Sequence, residues 1–276
     1  MKKLMKFTTR HPILFGFVVI VLFVLLSTLV WPITQIYPFP EGHEIGTALS
    51  KLVITACFMF LLWRFGWIKI AGFASLGRKQ IWLLAFVMMI YNAVFAVYAF
   101  TGSFKLSLPS RDLTLAVVFF TFTTSLLEET MYRGLVLTAT VKAWGNTRKG
   151  LFAAAIVSGL FWASTHLVNL IIRPFPLVAL QVLGMAVPGF VYAAIVLSGR
   201  SIWPAIIFHW VVNLMVNLQA IQNPNFEETL PAWLIFNLVV LPMAVIGVYL
   251  IRKTSLIQTY EEEEKRHEEQ LQPINT

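Results

Sequence analysis

The sequence predicts an all-α, polytopic membrane protein of about eight transmembrane helices, with both termini cytoplasmic. Three observations carry this. Of 276 residues, 58% are hydrophobic and only 12% charged, and the mean hydropathy is +0.76. Soluble domains run about 45–50% apolar and about 25% charged, so the charge needed to clothe a soluble core is missing. Apolar runs longer than the roughly 17–20 residues that cross a bilayer recur along the chain. Lys and Arg fall in small groups between alternate runs, as topology signals do.

The first element opens with "MKKLMKFTTRHPILFGFVVIVLFVLLSTLVW". It begins like a signal peptide, but its apolar run of about 19 residues is long enough to span a bilayer. No small-x-small cleavage pattern follows, so an uncleaved first helix is expected over 12–31. Further spans are expected at 48–66, 80–101, 112–142, 150–172, 176–199, 201–221 and 231–252. Runs of this length exclude barrel strands. The Pro188-Gly189 step is expected to interrupt the sixth span.

Lys2, Lys3, Lys6 and Arg10 precede the first span. Arg64, Lys69, Arg78 and Lys79 lie between the second and third, and Lys142, Arg148 and Lys149 follow the fourth. Arg200 follows the sixth, and Arg252, Lys253, Lys265 and Arg266 follow the last. The opposite loops carry only Lys51, Lys105, Arg111 and Arg173. Positive charge on one set of loops places both termini in the cytoplasm. The net charge of +8 is spread in this way rather than gathered in a patch, so nucleic acid is not an expected partner. Cys57 stands alone, which excludes an internal disulfide and cysteine metal clusters; it reads as a small buried apolar residue. The expected organisation is a transmembrane helical domain over 1–254 and a charged cytoplasmic tail over 255–276.

Three charges break the fourth span, in "SLLEETMYRGLV". Isolated near a helix centre, Glu128, Glu129 and Arg133 would together cost roughly 8–10 kcal/mol. Glu129 and Arg133 stand at i, i+4 in the favourable acid-first order and can neutralise each other. Glu128 lies about 100° round the helix and is left over. The fifth span carries His166 in "LFWASTHLVN", and the seventh carries His209 and Asn213 in "SIWPAIIFHWVVNL". His209 and Asn213 share a face at i, i+4, and Asn217 continues it. A single His or Asn in a membrane helix is often interhelical hydrogen-bonding glue, and a Glu–Arg pair can simply lock helices together. An unpaired acid, two imidazoles and an amide on three helices form a set that can surround a water molecule.

Taken together, the motifs resemble those of the CAAX-processing and bacteriocin-processing (CPBP, or Abi) intramembrane proteases. That family carries E-E-x-x-x-R on one helix, F-x-x-x-H on the next and H-x-x-x-N/D on a later one. Glu128-Glu129-Thr-Met-Tyr-Arg133 matches the first and His209-Trp-Val-Val-Asn213 the third. The second departs: Trp162 stands four residues before His166, with Phe161 one earlier. The aromatic is kept in kind, and the resemblance covers roughly 112–220. It implies a peptidase acting on a peptide or protein, and family members include proteases that trim prenylated C-terminal ends, so a prenylated or hydrophobic C-terminus is one expected substrate; the compact form without extra domains fits a bacterial plasma membrane. The resemblance also links the chain to bacteriocin processing or immunity.

The groups suit that chemistry. A carboxylate withdrawn from water is a stronger base than a solvated one, and the resemblance likewise gives the catalytic role to the first Glu, Glu128. His166 can hold the water or share the proton transfer. His209 and Asn213 can present donors to one oxyanion, with Glu129 and Arg133 in support. Glu128, His166 and His209 would also make a His₂Glu zinc site with an open position. That version needs another general base, and there is no H-E-x-x-H helix. The favoured reading is a glutamate-activated water with no cofactor. A proton-coupled transporter also places Glu, His and Arg inside helices, but usually with repeat symmetry and paired broken helices. A non-catalytic immunity or scaffold protein would need none of these polar groups in register.

Overall fold

The computed structural model describes residues 2–35, 41–103, 108–223 and 228–256. Within them the chain is all-helical, and eight helices are long and apolar enough to cross a membrane. The charged tail expected over 255–276 lies outside the described residues from 257 onward.

Helix α1 (Lys2–Arg10) leads into α2 (Pro12–Thr34), with Pro12 opening α2 where its missing N–H costs nothing. Then come α3 (Glu41–Arg64) and α4 (Lys79–Thr101), the latter closed by Gly102 in the left-handed conformation. The fourth span is continuous but changes pitch twice. It is α-helical over Arg111–Glu129 (α5), a π-helix over Thr130–Leu137, and α-helical again over Thr138–Trp144 (α6). Helix α7 (Arg148–Ser164) tightens into a 3₁₀ segment, Thr165–Ile171. Helices α8 (Phe175–Gly199), α9 (Trp203–Gln222) and α10 (Leu230–Lys253) complete the bundle. Hydroxyl caps start α5, α7 and α10: Ser110, Thr147 and Thr229 each accept an N–H of the first turn.

Three expectations are corrected. Pro188 does not interrupt its span: α8 runs through it from Phe175 to Gly199. A proline inside a membrane helix is tolerated where neighbouring helices support the backbone. His166 does not sit on an α-helix but on the 3₁₀ continuation of α7. Lys51, grouped above with the loop charges although the expected 48–66 span contains it, lies inside α3.

The bundle is apolar outward as well as inward. Leu29, Leu238 and Val245 are largely exposed, as side chains that meet lipid tails should be. Both ends of the described chain come to one end of the bundle, called here the terminal face. There α1 packs on α6, and Arg148 Nη1 donates to the carbonyls of Ile251 and Thr254.

Two features place the polar residues. Helices α7 and α8 touch backbone to backbone through Gly159 and Gly189. A Cβ on Gly159 would lie 2.6 Å from Phe190 N, and one on Gly189 would lie 2.9 Å from Gly159 Cα. Small residues permit this approach in membranes, where packing rather than hydrophobicity drives association. The start of α9 is clamped by the α3–α4 loop. Ile202 N–H donates to Gly72 O, Ser201 Oγ to Ser75 O and Trp203 Nε1 to Phe73 O. Gly72 has φ +85°, and a Cβ there would meet Ser201 Cα at 2.7 Å. This clamp fixes how far α9 projects, and so where His209 sits.

Candidate active site

Glu128 and Glu129 end α5 where the helix widens into its π segment. π turns are rare and frequent at functional sites. This one is held from outside by Ser158 of α7, whose Oγ donates to Tyr132 O at 2.9 Å, and within the helix by Thr130 Oγ1, which donates to Leu126 O one turn back.

Glu129 and Arg133 are both fully buried, and Arg133 Nη1 donates to Glu129 Oε1 at 3.1 Å. Arg133 Nη2 donates to Gly189 O at 2.9 Å, a contact that the Gly159–Gly189 approach permits. The guanidinium lies over the rings of Trp162 and Tyr192, at 5.1 and 5.2 Å from their centroids. The charge is therefore paired, hydrogen-bonded and stacked, which a buried arginine requires.

His209 stands between the two carboxylates. Its Nδ1 is 3.0 Å from Glu129 Oε1, and its Nε2 is 3.7 Å from Glu128 Oε2. Tyr192 stacks on the imidazole and Trp162 meets it edge-on. With Glu129 holding Nδ1, Nε2 is directed to Glu128, and carboxylates commonly orient histidines in this way.

Glu128 is the member of the pair that is not sealed. Its side chain is 31% exposed. Trp162 Nε1 donates to its Oε2 at 2.5 Å, which leaves Oε1 to take a proton. Glu128, His166, His209 and Asn213 line one cavity of about 270 Å³ between α4, α8, α9 and α10. Glu128 and His166 also border a second cavity of about 210 Å³, beside Phe23 and Asn169. His166 lies 5.9 Å from Trp162 ring to ring, and its Nδ1 is 3.3 Å from Ala163 O. Asn213 Nδ2 reaches Ser125 Oγ at 3.4 Å, and Asn217 Nδ2 donates to Asn213 O.

The six residues singled out in the sequence thus meet around one cavity wall. Glu129 and Arg133 lie behind it, and Glu128, His166, His209 and Asn213 border it. Among the described residues no group of His, Cys, Asp and Glu is arranged to hold a metal ion. As placed, Glu128, His166 and His209 do not form the His₂Glu grouping weighed above.

Sequence reasoning missed three participants. Trp162 was legible as an aromatic near His166 but not as the donor to Glu128, which a phenylalanine could not be. Tyr192, against both His209 and Arg133, gave no signal in a span that reads as uniformly apolar. Lys51 Nζ donates to Thr124 Oγ1 at 2.6 Å and sits over the Phe120 ring, one turn of α5 from Glu128. A charge inside a membrane helix was the signal for it.

Residues 110–215 match the model of the family described as Rce1-like, type II CAAX prenyl endopeptidase. That segment contains all six residues and Trp162 and Tyr192 as well. No curated protein and no solved structure gives a significant match. Through residues 110–215 the chain is similar to the Rce1-like family of type II CAAX prenyl endopeptidases.

Proposed function

We propose that this protein is an intramembrane endopeptidase in which Glu128 activates the attacking water. One observation carries the assignment: of the two adjacent glutamates, Glu129 is buried against Arg133 and His209, while Glu128 alone borders the cavity. A base must reach the proton it takes, and only Glu128 does.

The steps follow from the atoms. A water beside Glu128 gives a proton to its carboxylate as the water oxygen bonds to the peptide carbonyl carbon. The carbonyl oxygen becomes an oxyanion, which the Asn213 amide N–H can meet; a protonated His209 would add Nε2–H. The C–N bond then breaks, and the proton held by Glu128 passes to the leaving amine. Trp162 fixes one carboxylate oxygen throughout. His166, on the cavity side, holds the water or the scissile group. Arg133 and Glu129 set the imidazole of His209.

The substrate is a peptide or protein with a hydrophobic or prenylated C-terminal region, and the site is a bacterial plasma membrane with both termini cytoplasmic. The resemblance supports the substrate class, the Lys/Arg distribution supports the orientation, and the compact form without extra domains supports the bacterial membrane. The test is purified protein in detergent with prenylated and unprenylated CAAX peptides, with and without a strong chelator. A single-site product that survives chelation is expected. Activity that is lost on chelation and restored by zinc would favour a metal version and make Glu128 a ligand. No product from any peptide, with the fold intact, would favour a non-catalytic immunity or scaffold role.

A further inference from the structure

The cavity that holds Glu128 runs away from the terminal face. On α4 its wall uses the stretch from Asn92 to Phe100, the last turns before the opposite face. On α9 it runs from His209 to Asn217, and on α10 it takes only the first turns, around Trp233. It ends at Glu228, in the segment before α10, where Glu228 pairs with Arg173.

In the other direction the bundle is closed. Residues 129–141 are buried without a break, and so are 191–196. A small cavity of about 60 Å³ at the terminal face reaches Arg133, but Glu128, His166 and His209 do not line it. Glu128 and His166 also border the second cavity, whose wall takes in Val168 and Asn169 near the end of the fifth span away from the termini, so neither cavity that reaches the three groups is the one at the terminal face.

The charges orient that face. Arg78, Lys79, Arg148, Lys149, Arg252 and Lys253 stand at the terminal face, whereas Arg111 and Arg173 stand at the other. Such a bias places the terminal face in the cytoplasm.

We infer that the catalytic cavity is served from the exoplasmic side, and that its substrate is an extended peptide segment exposed at, or already carried to, that surface. The substrate half of this rests on the peptidase reading above. The wall supports an extended backbone as the occupant. Asn92, Gln181, Asn213 and Asn217 line it, and each amide offers both a donor and an acceptor, the pair that a peptide unit needs. Asn92 is buried, and its Oδ1 has no hydrogen-bond partner among the described residues.

The test reads access, not turnover. In the full-length chain with Cys57→Ala, single cysteines are placed in the cavity (Val216→Cys, with Asn217→Cys as a second variant) and at the terminal face (Lys149→Cys). A charged maleimide, which does not cross the bilayer, is added to right-side-out and to inside-out vesicles. Labelling after denaturation confirms that each variant is present and reactive. The cavity cysteines should react at least about tenfold faster in right-side-out vesicles, because a charge is excluded from the hydrocarbon. Lys149→Cys should show the reverse preference. If cavity and terminal-face cysteines react from the same side, the cavity does not open as described and the inference fails. If Lys149→Cys reacts from outside and the cavity cysteines from inside, the orientation is inverted and the inference also fails. Neither result depends on cleavage, so failure of the peptidase reading would show separately, in the peptide assay.

Discussion

Arg133→Met removes the charge that the buried centre is built around and keeps most of the side-chain stem. Glu129 then loses its 3.1 Å donor, Gly189 O loses its 2.9 Å donor, and two aromatic faces lose their cation. Breaking one side of a buried ion pair typically costs about 3–5 kcal/mol, because the remaining charge is stranded. Both partners here are fully buried, so the upper part of that range is expected. Glu129→Gln alone strands the guanidinium and should cost a similar amount. The double variant strands no charge, and His209 can still donate to the carboxamide oxygen that takes the place of Glu129 Oε1. It should recover about 2–3 kcal/mol of the summed losses, a coupling within the range seen for contacting residues. Arg133→Lys should fall between, since one ammonium cannot bridge Glu129 and Gly189 as a planar fork does. Denaturant-induced unfolding in mixed micelles, followed by helical signal, measures all four. A loss below about 1 kcal/mol for Arg133→Met, or additive losses in the double variant, would show that the pair does not hold the bundle together.

Gly159→Ala pushes a methyl group to 2.6 Å from Phe190 N; α7 and α8 must separate, at about 1–3 kcal/mol, and a thermal-unfolding shift with loss of cleavage is expected. An unchanged melting curve would remove the close approach from the account. Trp162→Phe keeps the ring against His209 and Arg133 but removes the N–H on Glu128. It should leave stability nearly unchanged and lower kcat by up to about tenfold, a cost near 1.4 kcal/mol. Trp162→Leu, which also removes the ring, should lose fold and activity together; equal behaviour of the two variants would argue against a role for the indole N–H.

The spans were legible because bilayer thickness fixes helix length. Expected boundaries of 80–101 and 176–199 stand beside Lys79–Thr101 and Phe175–Gly199. The Glu129–Arg133 contact was legible from its spacing, since residues one turn apart meet on any helix. What escaped depends on partners distant in sequence. The π segment is tied by Ser158 to Tyr132, 26 residues away. The hydropathy around His166 is the same whether the backbone is α or 3₁₀, so its pitch was hidden. Pro188 reads as a break because its lost hydrogen bond is a local fact, whereas the packing that keeps α8 continuous is not. Lys51 falls inside the expected 48–66 span, but hydropathy alone does not say that Thr124 and Phe120 wait for it on α5. The cavity depends on which faces of α4, α8, α9 and α10 come together, and no single helix carries that information.

The central claim is that Glu128, and not its neighbour, activates water. The most direct measurement is the cleavage rate of Glu128→Gln beside wild type and Glu129→Gln, with each protein first shown to be folded. Glu128→Gln keeps the shape and still accepts the Trp162 N–H, but it cannot take a proton. It should unfold at the wild-type temperature, still bind peptide, and cleave about 10²–10⁴-fold more slowly, the usual contribution of a general base. Glu129→Gln should be destabilised while keeping measurable turnover in the fraction that folds. Wild-type cleavage by Glu128→Gln would contradict the account and return the paired glutamates to a role in holding helices together.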